Sequence, residues 1–274
     1  MKSQMVHSVV AASLFAAALA LSSEPGDAQV GNKAASPPIA KVGGLRRTAD
    51  GKPNLSGVWQ GPGWNTGGVQ AKSLPGGVFP GPPPSYPPPP RQPIPYQKWA
   101  LEKSKQFREE DDPSFHCLLP GLPRAVTAPY PFEIVQTPEK IVVLYESSRV
   151  FRIIPIITSL KHPDDLVPTW MGDSVGRWDG DILVVDVVGF NDKTWLGGVG
   201  SIHTEALHIV ERYRLNPDHT LSWEARVEDP KVLTKPWVLG AFFRTPPNVR
   251  IEEYECLENN QDPGLLQLVR KSAK

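Results

Sequence analysis

Cysteine is scarce in this 274-residue chain: there are two, Cys117 and Cys256. At most one disulfide can form, and a Cys-rich framework or cluster is excluded. An excess of charge of either sign is also missing, because 29 basic residues balance 29 acidic ones. Neither nucleic acid nor an anionic membrane surface is an expected partner of such a chain. After the apolar run Val9–Leu21 no stretch approaches the ~20 residues of a membrane-spanning helix. Helical periodicity is confined to one short segment, so a parallel α/β sheet has no crossover helices to build it.

What is present begins with Lys2, the run Val9–Leu21 and the small residues around Gly26-Asp27-Ala28. This is the pattern of a removed export signal over residues 1–28. No cysteine follows the apolar run in a lipid-anchor position, so the expected location is periplasmic or secreted. In that oxidising compartment Cys117 and Cys256 are expected to pair, the alternative being two separate buried thiols. Closing so long a loop stabilises the fold in the chain-entropy model.

A linker is expected over 29–53 and one β-rich domain over 54–260. That domain carries a Pro-rich insertion at 61–95, with the runs Pro82-Pro83-Pro84 and Pro87-Pro88-Pro89-Pro90, which favours polyproline II chain lying on a surface. A helix is expected over 96–110, where Trp99, Lys103 and Phe107 recur at fourfold spacing. Asp111-Asp112-Pro113 stops it, and a tail follows the domain at 261–274.

From Tyr130 the pattern changes to about nine short strands, at 131–137, 140–146, 150–154, 175–178, 182–190, 205–215, 220–228, 237–244 and 249–256. Turn residues separate them at hairpin spacing. Arg177-Trp178, Asp179-Gly180-Asp181 and Ile182–Val188 read as strand, tight turn, strand, with Gly180 free to take positive φ. The fold class is mainly β, an antiparallel meander closing into a barrel or sandwich, with a Pro-rich N-terminal extension and one short helix.

Gly57-Val58-Trp59 resembles the first-strand motif of lipocalins. The resemblance implies a calycin-type barrel with the Trp closing one end, although the long Pro-rich excursion departs from the lipocalin pattern. The chain also resembles an uncharacterised family of exported bacterial β-rich proteins. That likeness rests on Cys117–Arg124, Pro131–Pro138, the Trp170–Asp192 block and Tyr254-Glu255-Cys256-Leu257-Glu258-Asn259-Asn260. It implies membership and export, and no reaction.

Three chemistries compete. Gly172-Asp173-Ser174-Val175-Gly176 matches G-x-S-x-G, which would make Ser174 a nucleophile with His203 as base and Asp186 as orienter. The motif needs a strand-to-helix turn, whereas here a hairpin follows. A second set is the ionisable groups in apolar strands, including Glu146, Arg152, Arg177, Glu205 and Glu211. Whichever face turns inward buries charge, as a structural network or as a polar ligand site. In the catalytic version His203 or Glu205 is the base and Arg177 steadies negative charge. The third is a mouth walled by Trp170, Met171, Asn191 and Trp195. His203 and His208 differ by five positions and face opposite sides of a regular strand, so no metal is expected, nor any other cofactor.

The leading expectation is an exported barrel binding a small organic molecule, with Trp170, Met171, Asn191, Trp195, Glu146, Arg152 and Glu211 as ligand contacts. Its competitors are an envelope interaction protein docking through the Pro-rich strip and, third, the serine hydrolase. The oligomeric state is left open.

Overall fold

Alternation of apolar and polar residues makes the strands, and tight turns between them set the order. The computed structural model describes residues 41–42, 44–60, 92–245 and 247–258. The expected leader at 1–28, residues 61–91 of the Pro-rich insertion and the tail at 261–274 lie outside the described residues.

A short hairpin of β1 (Lys41–Val42) and β2 (Leu45–Arg46) comes first. A four-stranded antiparallel sheet is formed by β3 (Gly57–Trp59), β4 (Phe132–Gln136), β5 (Lys140–Tyr145) and β6 (Phe151–Pro155), in sequence order. A five-stranded antiparallel sheet holds β7 (Asp173–Asp179), β8 (Ile182–Val188), β9 (His208–Leu215), β10 (Leu221–Glu228) and β11 (Trp237–Phe243), again a meander. The β7–β8 turn falls as expected, with Asp179 opposite Ile182 and Gly180 at φ 58°.

Of the expected antiparallel barrel or sandwich, the structure holds two antiparallel sheets that are not closed into a barrel. Among the described residues their edges meet at isolated bridges. At one seam Gln60 and Arg244 exchange backbone hydrogen bonds of 2.9 and 3.0 Å. At the other the Ile157 amide donates to the Gly176 carbonyl at 2.8 Å, beside a parallel bridge from Ile156.

The core lies between the sheets. Trp59 and Trp223 are fully buried within it, and Phe132 meets Phe243 edge to face at 4.9 Å. The Trp59 indole donates to the Leu55 carbonyl at 2.8 Å, the partner a buried N–H requires.

Two expected elements are shorter or missing. The helix expected over 96–110 is α1 (Lys98–Ser104), followed by a 3-10 turn at Glu109–Asp111. Past Ser104 tertiary contact overrides the periodicity. Phe107 packs edge to face on Trp195 at 5.5 Å, and a Cβ on Gly200 would sit 2.1 Å from the Ser104 carbonyl. The strand expected over 249–256 is irregular chain. The edge of β11 is already met by Gln60 at Arg244, and Cys256 is drawn away to a disulfide with Cys117, their Cα atoms 5.6 Å apart.

Candidate functional site

Period-two alternation turns Arg152 on β6, Ser174 on β7 and Glu211 on β9 into the space between the sheets, where all three are buried. The Arg152 Nε donates to Ser174 Oγ at 2.8 Å, and an Arg152 Nη donates to Glu211 Oε2. Glu211 Oε1 accepts from the Tyr213 hydroxyl at 3.1 Å and from the Trp223 indole at 3.0 Å. Burial works to neutralise Arg152, but the Glu211 carboxylate outweighs it and holds the guanidinium charged. Burial, then the field of Glu211, raises the Tyr213 phenol well above its ordinary value. Burial likewise pushes Tyr145 up to about 12, against the opposing charge of Arg152. Both oxygens of Glu211 are thus engaged by protein side chains, which describes a structural network, while Nη1 of Arg152 is buried without a hydrogen-bond partner.

The proposed hydrolase residues do not meet. Ser174 Oγ is held by Arg152 inside β7. His203 is buried, with Nε2 2.7 Å from the Thr194 hydroxyl and Nδ1 3.0 Å from the Thr204 carbonyl. A carbonyl only accepts, so Nδ1 carries the proton and Nε2 accepts from Thr194. Burial pushes the imidazole below its ordinary value, in keeping with that neutral ring. Glu205 is exposed in the turn before β9, and Arg177 is exposed on the outside of β7.

The expected mouth is dispersed as well. Trp195 is buried against Phe107, while Trp170 is half-buried with the Lys193 ammonium 5.9 Å from its ring. Met171 packs on the core, and Asn191 Oδ1 accepts from the Lys193 amide at 3.1 Å. Glu146 stands at the end of β5, accepting from the Glu252 amide at 2.9 Å.

On the outer face of the five-stranded sheet, four side chains form a chain. His162, in the loop between β6 and β7, reaches Asp173 at 2.6 Å through Nδ1 and Asp186 at 3.0 Å through Nε2. Asp186 turns its other oxygen to His208 Nε2 at 2.8 Å. Burial would raise Asp186, but the hydrogen bonds from His208 and His162 outweigh it and hold the carboxyl below its ordinary value. The same Asp186 contact raises His208 against its partial burial. The groups are strung in a line rather than gathered about one point, and no metal-holding cluster is found among the described residues.

A cleft of about 360 Å³ opens where the disulfide joins two distant parts of the chain. One wall is α2 (Arg124–Thr127) with the turn before it. Arg124 grips Asp112 through two 2.7 Å hydrogen bonds, and Asp112 also accepts from the Ser114 amide at 2.9 Å. Tyr130 and Tyr254 form the aromatic part, edge to face at 5.4 Å. Burial, then Tyr254, raises the Tyr130 phenol, so it stays protonated as a donor. Ser147, Ser148 and the Gly197–Val199 loop add to the lining, and Glu109 and Phe115 face the same cleft.

His203 supports this wall from behind. Gly121, at φ 69°, lies so close to Thr194 that a Cβ there would be 2.4 Å from the hydroxyl that His203 fixes. Among the described residues, concavities of about 410 and 460 Å³ are also present, more open to solvent and lined by six and seven residues. Sequence reasoning missed the cleft, although Arg124 and Tyr254 both flank the cysteines whose pairing assembles it.

No protein-family model, curated protein or solved structure matches the chain.

Proposed function

We propose that this is an exported protein that binds a small organic molecule in the cleft beside the disulfide, not in the space between the sheets. The observation that carries the reading is the convergence there of an aromatic pair, several hydroxyls and the Arg124–Asp112 ion pair around one half-open concavity. A few polar groups set among apolar walls is the ordinary composition of a ligand site. Arg124 already has its carboxylate and Glu109 adds a second to the lining, so an anion is disfavoured and the favoured ligand is neutral, with a flat or apolar face toward Tyr130 and Tyr254 and hydrogen-bonding edges toward the serines. The two sheets act as the scaffold, a calycin-type barrel left open at its seams.

The test is native mass spectrometry of the protein drawn from its own host's periplasm, followed by a screen of neutral aromatic and polyhydroxylated fragments by NMR. The wild type is expected to carry a small mass or to take up fragments, with shifts at Tyr130 and Tyr254. Tyr254→Ala is expected to weaken binding at least about tenfold, by removing one aromatic wall. A bare wild-type mass together with no fragment shift at either tyrosine sinks the proposal.

A further inference from the structure

The outward face of the four-stranded sheet is apolar. Ile134, Ile141, Val143 and Ile154 are buried on its inner face, so alternation turns Val135, Val142, Leu144, Phe151 and Ile153 outward. Val142 lies between Val135 and Ile153, and Leu144 between Glu133 and Phe151, so the apolar side chains form adjoining rows. Val135 is 43% exposed, Ile153 49% and Phe151 62%. The five-stranded sheet differs, with Arg177, Asp186, His208 and Arg212 on its outside. Sheets that face water carry polar residues there, and strands apolar on both faces belong to sheets covered on both.

We infer that a second copy of this chain covers this face, forming a two-fold dimer packed sheet on sheet. Charge selects that occupant. Lys140 is exposed at one end of the apolar rows, and Glu133 stands near the other. A two-fold axis running across the strands reverses their direction. Lys140 of each copy then lies toward Glu133 of the other, and two symmetric ion pairs bracket an apolar centre. Four strands at ~4.8 Å spacing and five residues at ~3.3 Å rise span roughly 20 by 17 Å. That is about 340 Å² on each copy, or about 680 Å² in all, below the ~1,200 Å² at which standard interfaces begin, so the dimer is a weak one that forms only at high concentration.

Sedimentation equilibrium over a concentration series tests this. The chain is expected to dimerise, and Ile153→Glu to raise the dimer dissociation constant at least about tenfold, since each copy carries the change. Lys140→Glu and Glu133→Lys are each expected to weaken the dimer, and the two together in one chain to restore it. Lys140 is exposed, so its substitution keeps the test usable if Ile153→Glu misfolds. A chain that stays monomeric at the highest concentration it tolerates overturns the inference, and the face then serves its own chain or another partner. A dimer indifferent to all these substitutions overturns it equally.

Discussion

Glu211 is fully buried and receives hydrogen bonds from three side chains, while Arg152 beside it is almost as deeply enclosed. A buried pair of this kind adds little over apolar residues of the same shape, but a single partner left alone is costly. Glu211→Gln is therefore expected to destabilise the fold by about 3–5 kcal/mol in urea denaturation. Replacing both residues, Arg152→Met with Glu211→Leu, should cost less than that single change. A smaller loss for Glu211→Gln than for the double replacement contradicts the account. The presence of ionisable groups on the inner face was legible in the sequence, because the strands place them at period two. Which of them met was not, since Arg152 and Glu211 come from different sheets and only the packing of one on the other fixes the partner. The Ser174 motif misled for a similar reason: a hairpin strand buries its hydroxyl, where a hydrolase needs it raised on a turn.

The loop between β6 and β7 is held to its sheet by His162, through Asp173 on β7 and Asp186 on β8, and Asp186 reaches on to His208 on β9. Glu228 adds to the field that raises His208, and Arg226 opposes it. A raised histidine contributes stability that is complete below its ordinary value of 6.5 and fades as pH climbs through the raised one. A lowered carboxyl contributes stability that is complete above its ordinary 3.8 and fades as pH falls. The Asp186–His208 contact thus contributes most between those values, but buried His203, held below its ordinary 6.5, removes stability as pH falls below that value, so thermal unfolding is expected at its highest temperature near the upper end of that interval, declining on both sides. His208→Gln should flatten the alkaline decline, and an unchanged profile in that variant would remove His208 as its cause. Of the elements, the hairpins were legible because turn residues and alternation mark them. The end of α1 and the irregular course of 249–256 were not, because Trp195, Gly200 and Cys117 impose them from far along the chain.

Across the whole molecule the single disulfide joins residues 139 apart in sequence and brings the segment of Tyr254 against that of Arg124. Reduction is expected to lower stability by at most about 5 kcal/mol in the chain-entropy model. It should also abolish ligand uptake before the sheets unfold, measured as fragment shifts lost while far-UV dichroism persists. Binding that survived reduction would separate the cleft from the disulfide. This pairing was legible in the sequence from compartment and cysteine count; the site it assembles follows only once both flanking segments are considered together. The seams carry a different consequence. With only isolated bridges between the Gln60 and Arg244 edges, and between Ile156 and Gly176, the scaffold has lines of mechanical weakness along its strands. Under load the two sheets part as stiff leaves about those lines, and the packed interior, rather than the backbone, supplies the resistance.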